Sequence, residues 1–428
     1  MSIAITGFLV VLLLLRIPVS LAILVSASAG LWWVAGYEVV LGVLTTALPS
    51  SVAMYEFVTI PMFLLMAQFV IISGVAAGIF NAAAASVGRW PGGLAVATVL
   101  AGAGFGAICH SSTASAATLS ATSLPAMIKE GYEPRFAYGV VSISGTLAML
   151  IPPGVAMIIY GLVANVSIGA LIIAAIIPAI IIVVTIVLTI FIIVALDPKK
   201  APPITHYTSA SRKEATKGAT PMVLLFGAVT AVIYTGIATP TEAAAIGAMG
   251  AFLVAAVLRR VNVASATRAA YLAAETTCMV LMIITAAHVL SYFLALTSVT
   301  QDLIDWVKYL EIPRWGVLLV VYAIYLILGC FLDLAAILVL TVPVVLPVLK
   351  TLGYNPIWFG ILAIVIAEVG LVHPPAGLNL FIVARATNQP VGEIFHGVWP
   401  HIAAHMIAIA ILTIFPELTL WLPSTMMK

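Results

Sequence analysis

The sequence predicts an all-α polytopic membrane protein made of two copies of one unit in inverted topology. Three observations carry this. The 428 residues are 64% hydrophobic and 7% charged, with a mean hydropathy of +1.24, whereas soluble chains carry about a quarter charged residues. Apolar runs close to the roughly 20 residues needed to cross a bilayer recur along the whole chain. Finally, Pro18, Pro91, Pro125, Pro134, Pro152, Pro153 and Pro178 each have a counterpart 222 residues on, at Pro240, Pro313, Pro347, Pro356, Pro374, Pro375 and Pro400. Proline removes a backbone donor and fixes φ, so it marks helix starts, breaks and turns. Seven such marks in one register point to a duplication.

The first copy covers residues 1–196. Residues 3–16 and 18–36 read as two short spans or one long broken helix, and 37–56 as a partly amphipathic connector. A long apolar helix follows over 57–87. Residues 92–128 read as a re-entrant hairpin, because the polar run Cys109-His110-Ser111-Ser112-Thr113-Ala114-Ser115 interrupts an apolar stretch. The span 136–162 is broken at Ile151-Pro152-Pro153-Gly154, and 168–196 closes the copy. Residues 197–219 form the one long polar linker. The second copy, 220–428, repeats the order: spans at 220–237, 240–258 and 269–296, an amphipathic piece at 301–310, a hairpin at 314–350, a broken helix at 357–384 and a last span at 398–420. The N-terminal run lacks a basic leader and has a repeat partner, so it reads as mature structure rather than a signal peptide.

Lysine and arginine in short loops stay in the cytoplasm. Lys199, Lys200, Arg212, Lys213 and Lys217 place the linker there, and Arg259, Arg260 and Arg268 place the next loop with it. Counting back, Arg89, Lys129 and Arg135 also fall inside. Five crossings per copy then invert the second copy and leave both termini periplasmic. Lys308, Arg314 and Lys350 fall outside, accompanied by Asp302, Asp305 and Glu311.

Irregular backbone at membrane depth survives only where it is buried in protein or lines a cavity, and secondary transporters hold ions and substrate at such broken helices. The hydroxyls of Ser111, Ser112, Thr113 and Ser115, with carbonyls freed around Pro152 and Gly154, would form an oxygen cage for Na⁺. The bland alternative is that these hydroxyls bond back to the preceding turn. Asp333 stands 222 residues after Ser111; a carboxylate inside a membrane hairpin reads as a cation ligand or proton-coupled group, with a helix cap as the alternative. Asn379 offers an amide to a carboxylate or an ion, or simply to the broken backbone. His110, His373 and His288 are candidate substrate contacts or pH-sensitive groups, or interhelical hydrogen bonders. His206, His396, His401 and His405 fall at or near expected loops. Cys109, Cys278 and Cys330 lie in apolar runs and read as small buried hydrophobes. No His-Glu metal helix, Walker loop or dinucleotide glycine pattern has a credible context, and the scattered basic residues give no nucleic-acid footprint.

Several motifs resemble the large membrane subunit of tripartite ATP-independent periplasmic (TRAP) transporters over nearly the whole chain. They are Ile60-Pro61-Met62-Phe63-Leu64-Leu65-Met66 with Ser73-Gly74, Phe105-Gly106-Ala107, Gly131-Tyr132, Ile159-Tyr160-Gly161, Ser167-Ile168-Gly169, Ala238-Thr239-Pro240-Thr241-Glu242-Ala243-Ala244-Ala245, Phe331-Leu332-Asp333 and Pro374-Pro375-Ala376-Gly377-Leu378-Asn379-Leu380-Phe381. The resemblance implies a bacterial inner-membrane Na⁺ symporter of the elevator type. It would work with a small four-span membrane subunit and a soluble periplasmic binding protein that usually delivers an organic acid. By position, Ser111, Ser112 and Thr113 with the Pro152 region fall on one cation site. Asp333 with Pro374 and Gly377 falls on a second. Substrate would lie between the hairpin tips, near His110, Ser115, His373, Asn379 and His288. The chain departs from the family where His110 replaces a small residue, Gly154 a serine and His373 an apolar residue. The spans around Pro18, Pro178, Pro240 and Pro400 would form the scaffold, with Thr241 and Glu242 structural.

Other classes remain in view. A binding-protein-independent divalent-anion/Na⁺ symporter shares inverted hairpins, and a channel would show no counterflow. An intramembrane enzyme using His110 with Ser111 or Ser112 is disfavoured, because adjacent residues rarely present a base to a nucleophile in line.

Overall fold

The computed structural model describes residues 2–109, 111–202 and 209–426. Among them every regular element is helical. The first two helices are separate: α1 (Ser2–Leu14) and α2 (Val19–Ala35) are divided by Arg16 at φ +63° and by Pro18. Helix α3 (Tyr37–Ala53) leads through a single 3-10 turn into α4 (Thr59–Ser73). The single helix expected over 57–87 is instead split, because Gly74 adopts φ +71°, a left-handed position that suits glycine and ends helices. Helix α5 (Val75–Val87) resumes directly after it.

Helices α6 (Gly93–Cys109) and α7 (Ser112–Lys129) follow, then α8 (Pro134–Leu150) and α9 (Val155–Ala164), which meet at a 47° bend. The last apolar stretch of this half divides into α10 (Ile168–Ala174) and α11 (Ile176–Leu196). The remaining helices are α12 (Ser209–Tyr234), α13 (Pro240–Val257), α14 (Val263–Leu296), α15 (Val299–Tyr309), α16 (Arg314–Phe331), α17 (Leu334–Thr351), α18 (Pro356–Gly370), α19 (Leu378–Thr387), α20 (Val391–Ile414) and α21 (Glu417–Met426). Helix α12 starts inside the expected linker, where Arg212, Lys213, Glu214 and Ala215 are all good helix formers.

Seven of the described helices are long and apolar enough to cross a membrane, or eight if the bent α8–α9 pair counts as one span. Helix α11 shows what solvent they are made for. Its buried stripe is Ile182, Ile186, Ile190 and Val194, and its exposed stripe is Ile180, Val184, Leu188 and Ile192. A helix apolar on both faces belongs in lipid or a large core. In contrast, α18 is buried on every side from Trp358 to Gly370, so it lies at the centre.

Packing divides the helices into two groups. Helices α2 to α4 pack with α13 and α14, and α7 to α11 pack with α17 to α21, flanked by α6 and α16; α5 links the two groups by packing on both α12 and α6. Thr59 and Thr241 tie α4 to α13 through hydroxyls 2.6 Å apart. The scaffold expectation fails in part. The helices carrying Pro178 and Pro400, α11 and α20, pack on α6, α8 and α18, not on the group around Pro18 and Pro240. Small residues allow this. Gly397 of α20 and Gly139 of α8 bring two backbones into direct contact, and Gly329 of α16 meets Gly370 of α18 likewise. Such close approach without side chains is how membrane helices gain packing energy when lipid removes the hydrophobic drive.

Candidate functional site at the hairpin tips and helix breaks

The breaks are tightly folded. Ile151 is extended at φ −72° and ψ 123°, and Gly154 at φ −92° and ψ 137°, so the chain steps out of helix across Pro152 and Pro153. A Cβ on Gly154 would lie 2.6 Å from the Met149 carbonyl oxygen, which explains the missing side chain there. In the second break the amides of Leu371, Val372 and His373 bond to carbonyls three residues back. Gly377 N–H bonds to the His373 carbonyl, and Asn379 N–H to that of Leu371 at 3.1 Å. The Cys330 thiol bonds to the carbonyls of His373 and Pro374, both at 3.5 Å, and His373 Nδ1 lies 2.6 Å from the Pro374 carbonyl oxygen. The carbonyls of Leu371, His373, Pro374 and Gly377 in this break thus all accept from protein donors. Both Pro-Pro bonds are cis.

At the first tip, Ser111 caps α7, its Oγ accepting from Ala114 N–H at 3.3 Å and lying 3.0 Å from Thr113 Oγ1. Ser112 is buried and donates its hydroxyl to Glu368 Oε2 on α18. This contact joins the first hairpin to the second broken helix. His110 lies outside the described residues, as does His206. At the second tip, Asp333 is exposed and caps α17, its Oδ1 accepting from Ala336 N–H at 3.0 Å. The structure thus places Asp333 in the capping role that a carboxylate performs well, with its second oxygen outside that bond.

Ser115 and Asn379 are both 0% exposed. The Ser115 hydroxyl and both amide atoms of Asn379 have no hydrogen-bond partner, and neither has Glu368 Oε1. Helix α7 packs against α19, Ser112 one turn before Ser115 bonds Glu368, and Asn379 N–H bonds the Leu371 carbonyl one turn past Glu368. His373 is half-buried and faces the Trp399 ring, centroids 6.4 Å apart. His288 lies elsewhere, on α14, lining a cavity of about 450 Å³ with Glu56, Asn165, Ser167, Thr239 and Thr241. A neighbouring cavity of about 530 Å³ shares Asn165 and adds Ser291, Ser298, Gln301 and Lys350. Both lie between the two helix groups at the end of α9 remote from Arg135, the first also at the end of α13 remote from Arg259.

Two features did not stand out in the sequence. Glu368 is an acid in the middle of an apolar run, the signal that marks intramembrane function by default. His401 and His405, expected at or near loops, are instead fully buried in mid-helix on α20. Glu242 has the structural role expected: its carboxylate accepts from Thr239 N–H at 2.8 Å and closes a capping box at the start of α13. Among the described residues no three or more His, Cys, Asp or Glu side chains group as a metal centre.

A family model described as tripartite ATP-independent periplasmic transporter, DctM component, matches residues 6–418. The C4-dicarboxylate TRAP transporter large permease protein DctM of Pseudomonas aeruginosa is 33% identical over 375 residues, 86% of each chain. The sialic acid TRAP transporter large permease protein SiaM of Vibrio cholerae is 29% identical over 378 residues, again 86% of each. The crystal structure of the Alcanivorax borkumensis YdaH transporter shares the fold, with a TM-score of 0.60 over 88% of each chain at 18% identity.

Proposed function

This chain belongs to the DctM component family of tripartite ATP-independent periplasmic transporters as a large membrane permease subunit, and we propose that it drives Na⁺-coupled uptake of a small organic acid. The solute is delivered by a periplasmic binding protein, and a small four-span subunit completes the membrane complex in the bacterial inner membrane. The single observation that carries the coupling is the hydrogen bond from Ser112 to Glu368. It makes the first hairpin tip and the second helix break one polar unit, so a cation ordering one orders the other. Solute that prefers the ordered state then gains affinity when the cation is bound, and the reverse, by linkage.

The two halves are inverted copies in this proposal. The element boundaries support it: Ser112 and Lys129, which bound α7, become Leu334 and Thr351, which bound α17, on adding 222. Residues Arg89, Lys129, Arg135, Lys199 and Arg259 face the cytoplasm, the termini face the periplasm, and the two cavities around Asn165 open to the periplasmic side. Solute enters there, past His288, and crosses when the hairpin group moves against the group holding α2, α4, α13 and α14.

Proteoliposome uptake with candidate binding proteins, with and without an inward Na⁺ gradient, tests this. Uptake needs both the gradient and the binding protein, and Asp333→Asn, which keeps a capping residue on α17, abolishes it while sparing expression. Uptake independent of sodium defeats the coupling. Sodium-driven uptake without any soluble protein assigns the chain to the binding-protein-independent symporter class.

A further inference from the structure

We propose that Glu368 is the charged ligand of one monovalent-cation site at the junction of α7, α18 and α19, with Ser115 and Asn379 supplying neutral oxygens. The site deepens the sodium-coupled reading and rests on it. Glu368 is 2% exposed, and only one of its two carboxylate oxygens is used, by Ser112. A buried carboxylate is costly unless its charge is compensated and its oxygens are bonded. Ser112 and Ser115 lie one turn apart on α7. Leu371 lies one turn past Glu368, and its carbonyl holds the N–H of Asn379. Two neighbouring turns therefore bring a carboxylate, a hydroxyl and an amide, each with a buried polar atom lacking a partner. Several orphaned polar atoms in one region call for a missing ion or water.

The charge selects the ion. A single carboxylate with neutral co-ligands is neutralised by one monovalent cation, whereas a divalent ion would leave net charge in a low-dielectric interior. A proton on Glu368 would neutralise the carboxylate but leave Ser115 and Asn379 unbonded.

The corresponding junction in the other direction is different. Helix α17 packs on α9, and adding or subtracting 222 puts Leu334, Ile337, Thr146 and Met157 where Ser112, Ser115, Glu368 and Asn379 stand. Leu334, Ile337 and Met157 are buried, and the Thr146 hydroxyl bonds to the Ile143 carbonyl of its own helix at 2.7 Å. The duplication thus yields one polar junction and one apolar junction, and one such cation site per chain.

The test uses the full-length protein in lipid nanodiscs, with radiosodium binding and carbodiimide labelling of Glu368 read by mass spectrometry. Sodium slows labelling of wild-type Glu368 by tenfold or more, while the same concentration of choline leaves the rate unchanged. Glu368→Gln binds one sodium fewer than wild type, and Ser115→Ala weakens the same step. The wild-type labelling arm remains decisive should Glu368→Gln fail to fold. Labelling indifferent to sodium, or an unchanged sodium count in folded Glu368→Gln, means that ordered water only fills the junction and overturns the proposal. Wild-type uptake that still requires sodium in that case leaves the transport reading intact, so the two failures are distinguishable.

Discussion

Replacing Gly397 by alanine tests whether the α8–α20 contact holds the hairpin group together. A Cβ built on Gly397 would sit 2.7 Å from the Arg135 carbonyl carbon and 3.0 Å from Gly139 N, and closer still to the Arg135 oxygen. Ordinary contact begins at 3.4 Å, so the backbones must part by at least 3.4 − 2.7, about 0.7 Å. The obstructing atoms are backbone, with no rotamer to turn aside. Overpacking of this kind costs about 1–3 kcal/mol. Gly392 on the same helix provides the control, because nothing lies within 4 Å of its Cβ position. There, in the first turn of α20, alanine gains at most about 0.5–1 kcal/mol of helix propensity. The two variants should therefore differ by about 1–4 kcal/mol. Thermal unfolding in one detergent, followed by loss of the monodisperse peak, reads the order of their midpoints. Equal midpoints for Gly397→Ala and Gly392→Ala would refute direct backbone contact between α8 and α20.

Two further outcomes follow from buried hydrogen bonds. The Trp358 indole N–H donates to the Leu412 carbonyl at 2.9 Å, so Trp358→Phe should lower stability by about 1–3 kcal/mol, seen as a lower melting midpoint. Tyr132, in the turn between α7 and α8, accepts from Leu94 N–H at 3.1 Å, and burial pushes its phenol from 10.0 up to about 12. Because the folded value is raised, its contribution is fully present below pH 10 and is lost as pH rises towards 12. Tyr132→Phe should flatten that alkaline loss in a melting series; an unchanged slope would show that another group titrates.

The helical, membrane-spanning character and the family were legible in the sequence because both rest on features that local chemistry writes directly. Apolar runs reveal lipid, and proline and glycine reveal helix ends. The split at Gly74 was harder to see, because an isolated glycine in an apolar run is also compatible with continuous helix. Glu368 escaped notice for a different reason. The 222-residue offset highlights what the two halves share, whereas Glu368 pairs with Thr146 and is thus a difference between them. His401 and His405 were hidden similarly, since their counterparts Ala179 and Val183 carry no polar group. Nor does the sequence tell how Asp333 is divided between capping α17 and serving an ion, because both roles require a carboxylate at the same first turn.

The exchange of partners between the two hairpins sets a limit on how this chain can be divided. Helix α7 leans on α19 and α17 leans on α9, so each half supplies a wall that the other lacks. Severing the polypeptide between residues 202 and 209 would leave two fragments with mutually dependent interiors. They should accumulate only when synthesised together, as the subunits of an obligate heterodimer do.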